Sequence, residues 1–141
     1  MRFLVMVKGN AGYEAGAMPS EKLMTEMGRF NEEMVRAGVM KAADGLHPST
    51  KGTRILYDGD KRTVVDGPFG NAKEQVAGFW VIEVASKEEA IEWMKKAPAP
   101  HEEGVSEVEI RQIFGPEDFG PELTEQLREQ EERLRKEMEG Q

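Results

Sequence analysis

The chain has 141 residues, 38% of them hydrophobic and 33% charged, which suits one folded domain with a real core and is too short for two ordinary ones. It contains no cysteine, which excludes disulfides, thiolate catalysis and cysteine-based zinc or iron–sulfur sites. A net charge of −8 argues against a nucleic-acid partner, and no apolar run approaches the ~20 residues that a membrane span needs.

Residues 2–8 form a near-continuous apolar run that reads as a strand buried on both faces. The run is too short for a signal peptide and no clean cleavage site follows, so the expected home is the cytoplasm. Two glycines and a closing proline make "NAGYEAGAMP" (10–19) a loop. Ser20 then caps a helix whose stripe is Leu23, Met27, Phe30 and Met34, with Gly38 just past its end. Residues 39–47 read as a second strand. "TRILY" (53–57) and "RTVV" (62–65) flank an Asp58-Gly59 turn and make a hairpin. A strong strand follows at 76–84. Ser86 and Glu89 form a capping box for a helix carrying Ala90, Ile91, Trp93, Met94 and Ala97, stopped by Pro98 and Pro100.

Residues 105–114 alternate well enough to be a last strand with one wetter face. Beyond residue 120 the chain is almost wholly charged, with a thin stripe of Leu123, Leu127, Leu134 and Met138. Glu129/Arg133 and Glu132/Lys136 are i,i+4 pairs that support an exposed helix over 122–139. The expected domains are therefore 1–119 and a charged helical tail, 120–141.

Without the hairpin and tail, the order is β-α-β followed by β-α-β. That pattern predicts an α+β, ferredoxin-like βαββαβ fold with an inserted β-hairpin and a C-terminal helix. Two helices cover one sheet face. A second subunit is the economical cover for the other, giving a homodimer.

The runs "VVDGPFGNAKEQVAGFWVIEV", "EEAIEWMKKAPAP" and "VEIRQIF" resemble the DGPF-containing branch of the YCII-related (YciI-like) family over residues 1–119. The resemblance implies a ferredoxin-like fold assembled as a dimeric α/β barrel. It implies no defined activity, because the family is largely of unknown function. A Glu-Thr pair is common in the family where this chain has Asn71-Ala72. The small YciI branch carries a His-Asp pair in a cleft, which has no counterpart here because residues 1–46 hold no histidine.

Asp66, Gly67 and Pro68 have a structural reading as turn chemistry, with the Asp66 carboxylate accepting backbone N–H groups and Phe69 as a core plug. The functional reading places Asp66 and Lys73 in a cleft facing a small polar molecule. Histidine is the natural side chain for proton transfer near neutral pH, and of His47 and His101 the preferred general acid/base is His47. Arg54 in its strand needs a partner, Asp66 or Glu83, or a bound anion. Tyr13 and Glu14 sit in the glycine-rich loop, where they can form a lid. The candidate set is thus His47 and Asp66 for catalysis, and Arg54, Lys73, Tyr13, Glu14 and His101 for binding. No metal ligand set or cofactor motif stands out.

Three functions fit. The first is a small-molecule-binding dimer with acid/base chemistry through His47 and Asp66. The second is a non-catalytic binding or interaction protein using the tail. The third is a cofactor-independent oxygenase or isomerase of the dimeric-barrel type. A catalyst predicts a cleft where His47, Asp66 and Arg54 converge. An interaction protein predicts those groups scattered and the Leu123–Met138 stripe exposed.

Overall fold

The structure, a computed structural model, describes residues 1–141. Six strands and four helices follow in the order β1 (Arg2–Lys8), α1 (Ala11–Glu14), α2 (Glu21–Arg36), β2 (Met40–Gly45), β3 (Thr53–Asp58), β4 (Lys61–Asp66), β5 (Val76–Glu83), α3 (Lys87–Lys95), β6 (Val108–Gln112) and α4 (Glu125–Glu139). Strands β2-β5-β1-β6 make one antiparallel sheet, and β3-β4 form a separate hairpin. This is the ferredoxin-like α+β arrangement, with β1 and β5 central. No helix is long and apolar enough to cross a membrane.

The core lies on one side of the sheet. Phe3, Val5 and Val7 of β1 alternate inward with Trp80 and Ile82 of β5, beneath Leu23, Phe30 and Met34 of α2 and Ala90 and Met94 of α3. Each large side chain so removed from water contributes roughly 1.5–3 kcal/mol. The Phe30 ring stands edge-on to Trp80 at 6.0 Å, a preferred aromatic geometry. Both caps form: Ser20 Oγ accepts from Leu23 N at 3.1 Å, and Ser86 Oγ accepts from Glu89 N at 3.2 Å. Within the single chain, β1 is fully buried on one face only. Leu4 and Met6 on its other face are half-buried, beside Phe79 and Val81 of β5.

Several boundaries differ from the sequence reading. The expected 10–19 loop contains α1, because the Asn10 side chain accepts from Tyr13 N at 2.8 Å and starts a helical turn. β6 is shorter than the alternation suggests, since residues 105–107 run on as loop. In the tail, Thr124 caps α4, and Glu132–Lys136 pairs at 3.6 Å while Glu129–Arg133 does not close. The hairpin projects with both faces wet, exposing Ile55, Leu56, Tyr57 and Val64.

Candidate functional site

At one end of the sheet lies an open cavity of about 1020 Å³. Its walls are the first half of α2, the chain around α1, the ends of β2 and β5, and residues 100–103. The floor is apolar, with Leu23, Met24, Met27 and Ala43 beside Trp80. A second cavity of about 310 Å³ adjoins it and shares Tyr13, Leu46, His47 and Pro48. The larger volume is at the upper end of the usual range for small-molecule pockets, roughly 300–1,000 Å³.

Local sequence brings α1 over this end. Gly9 follows β1 directly, and a Cβ there would lie 2.8 Å from the Ala72 carbonyl oxygen and 3.1 Å from the Tyr13 ring. Only glycine lets the chain turn so tightly against both. Tyr13 then donates its phenolic O–H to the Leu46 carbonyl at 2.6 Å, and its ring stands 6.3 Å from that of His101. Burial, and next to it the Glu14 charge, push the Tyr13 phenol above its ordinary pKa. It therefore stays a protonated donor.

His101 is held from two directions. Its N–H donates to Ser106 Oγ at 2.9 Å, and its ring Nε2 lies 2.7 Å from the Lys8 carbonyl oxygen. A carbonyl only accepts, so Nε2 carries the hydrogen and Nδ1 is left open. His47 borders both cavities and is exposed, with no hydrogen bond within the chain engaging its ring.

Glu14 is committed to Ser49. Its Oε1 accepts from Ser49 N at 2.9 Å, and its Oε2 accepts from the Ser49 hydroxyl. The Ser49 side-chain and backbone bonds, outweighing partial burial, hold the Glu14 carboxyl below the ordinary carboxylate pKa. The same hydroxyl oxygen accepts from Phe69 N at 3.0 Å. Glu102 does a parallel job at the cavity mouth, accepting from Ser20 N and Ser20 Oγ, both at 2.7 Å, and its pKa is likewise lowered by those bonds.

The Asp-Gly-Pro-Phe turn is built onto this Glu14–Ser49 clamp. Gly67 N donates to the Gly52 carbonyl at 2.9 Å, and a Cβ on Gly67 would fall 1.7 Å from the Ser49 carbonyl oxygen. Asp66 closes the hairpin base by accepting from Thr53 Oγ1 at 2.9 Å. Arg54 lies with its guanidinium carbon 3.9 Å from the centre of the Phe69 ring, so its partner is an aromatic face rather than Asp66 or Glu83. The turn's acid, glycine and phenylalanine each have a structural contact.

The structure thus brings Tyr13, His47 and His101 to one cavity and Glu14 to the adjoining one. Asp66, Arg54 and Lys73 line neither. Lys73 is exposed in a short 3₁₀ turn at 72–74. Sequence reasoning missed Ser49, the Ser20–Glu102 bond, and the bond from Trp80 Nε1 to Asn31 Oδ1 at 2.8 Å. These contacts join residues 35 to 82 positions apart, and no local pattern marks them.

The Glu14 clamp has a pH consequence. A carboxylate with a lowered folded-state pKa stabilises fully above its ordinary value of 4.5, and that stabilisation is lost as pH falls through the lowered value. Urea midpoints measured from neutral to acidic pH should fall on this limb, and Glu14→Gln should flatten it. The limb will not vanish, because Glu102 and Glu109 have lowered values too. An unchanged acid limb in Glu14→Gln would show that the clamp does not contribute.

A family model described as "YCII-related domain" matches residues 1–114. A curated protein of Rhizobium meliloti (strain 1021), described only as uncharacterized, is 31% identical over 75 residues. That match covers 53% of this chain and 60% of the relative's length.

Proposed function

Because the chain belongs to the YCII-related domain family, and its Rhizobium relative brings no assigned activity, we propose a function from the cavity itself: the protein binds a small molecule there as a homodimer. The observation that carries this reading is the cavity of about 1020 Å³ with an apolar floor and Tyr13, His47 and His101 at its wall. His47 is the group free to exchange a proton with a bound molecule, and His101 is held at the wall by Ser106 and the Lys8 carbonyl. Asp66, Arg54 and Glu14 hold the wall in place from outside the larger cavity.

The half-buried patch of Leu4, Met6, Phe79 and Val81 supports a second copy as the cover for the open sheet face, in the manner of a dimeric α/β barrel. The exposed Leu127, Leu134 and Met138 of α4 support a second reading, in which residues 120–141 recruit a protein partner.

The test is a fragment screen by ligand-observed NMR on the wild type and on Ala17→Trp. Ala17 is exposed on the cavity wall, so the larger side chain fills the space without entering the core. Fragments should bind the wild type, and their affinity should drop at least about tenfold in Ala17→Trp, a loss of about 1.4 kcal/mol or more. Binding that is absent, or equal in both proteins, would overturn the reading. Sedimentation on the same samples reads the dimer.

A further inference from the structure

We infer that Met18 and Met24 are oxidation sites that switch the cavity wall from apolar to polar; the sites stand on exposure, and the switch rests on the binding reading above. Of the nine methionines, Met34 and Met94 are buried in the core, and Met27 packs against it half-buried. Met18 and Met24 are 84% and 55% exposed, and both line the cavity. Met1 and Met138 are exposed as well, away from it. Oxidation follows access to the thioether, so these four react ahead of the buried ones. The oxidant is a peroxide. The sulfur lone pair attacks one peroxide oxygen, the O–O bond breaks and water leaves. The thioether thereby loses two electrons and becomes a sulfoxide.

Position decides the consequence. Met24 lies in the first half of α2, one turn before Met27, and Met18 leads into the helix two residues before its Ser20 cap. Reduced, the two thioethers extend the apolar surface of Leu23, Met27 and Ala43. Oxidised, each presents an S=O dipole that water solvates well and that an apolar ligand must dehydrate. A polar oxygen so covered needs a hydrogen-bond donor to offset the loss. Two donors at the wall are already committed, Trp80 Nε1–H to Asn31 and Tyr13 O–H to Leu46. The Asn31 amide lies two turns beyond Met24 along α2. Oxidation therefore weakens apolar ligands while the core, with Met34 and Met94 still reduced, stays folded.

Graded hydrogen peroxide followed by peptide mass mapping tests the sites. Met18 and Met24 should be fully converted at doses that leave Met34 and Met94 unmodified, and equal rates would overturn the assignment. Octan-1-ol, a neutral apolar probe, tests the switch, with the Trp80 indole N–H resonance at the cavity floor as reporter. Its affinity should fall about tenfold on oxidation of the wild type. Treatment with methionine sulfoxide reductases for both epimers should restore it. The Met18→Leu/Met24→Leu variant keeps side-chain volume at two exposed positions. Its affinity should not change on oxidation, although Met1 and Met138 are still converted. A wild-type affinity unmoved by oxidation would overturn the switch and leave the binding reading intact. An equal loss in the leucine variant would overturn the role given to Met18 and Met24. If octan-1-ol does not bind even the reduced protein, the binding reading and the switch fall together, and the mass mapping still decides the sites.

Discussion

Gly67→Ala should lower the folding free energy by about 3 kcal/mol, near the upper end for overpacking, and the melting temperature by roughly 10 °C. The added methyl would sit 1.7 Å from the Ser49 carbonyl oxygen, and the obstacle is backbone. Relief requires the hairpin base to move off the 49–52 turn. That movement strains the Gly67 N to Gly52 O bond and the Phe69 N to Ser49 Oγ bond together. At Gly70, three residues on, an added methyl would meet nothing within 4 Å. Gly70→Ala is the matched control, and its effect should stay within about 0.5 kcal/mol. Urea denaturation of the two variants checks the pair. Equal effects would mean that the loop relaxes freely and that the close approach does not define it. The same variant bears on the site, because the 49–52 turn also anchors Glu14, and through α1 the position of Tyr13.

The second large effect is expected from Phe3→Ala, at about 4 kcal/mol. Phe3 is 1% exposed on a central strand, paired with Ile82 on one side and Gln112 on the other. Truncation leaves a cavity between two neighbouring strands and the helices above, with no flexible loop to fill it. Against a typical total of roughly 5–15 kcal/mol, much of the folded population would be lost on warming. Leu4→Ala, one residue on and facing the open side, should cost about 1–2 kcal/mol in a single chain. If a second copy covers that face, the Leu4→Ala cost grows and depends on protein concentration. A Phe3→Ala loss no larger than that of Leu4→Ala would contradict the one-sided core.

Much of the scaffold was legible because its signals are local. The Leu23–Phe30–Met34 stripe, the Ser20 and Ser86 caps, the Asp58-Gly59 turn and the alternation in β5 each act within a few residues. The α1 turn was hidden because its glycines read as loop, while its cap is one Asn10 side chain. The site was read less well. Asp66 and Arg54 are chemically able residues, and the sequence could not say that Thr53 and the Phe69 ring occupy them. The Asp-Gly-Pro-Phe run was legible as a turn. That it is clamped by Glu14 through Ser49 depends on a contact across 35 positions.

The sequence by itself determined the type of every strand and of the three longer helices, the ferredoxin-like order and the absence of cysteine chemistry, since periodicity, caps and composition are properties of neighbours along the chain. Tertiary structure alone decided which polar side chains meet. Tyr13, His47 and His101 reach one cavity because β1, β2 and the 98–107 loop all finish at the same end of the sheet. Strand pairing sets that convergence, and the pairs forming it lie far apart in sequence. Their closeness is a consequence of burying Phe3, Trp80 and Ile82 together, not of any motif around the residues themselves.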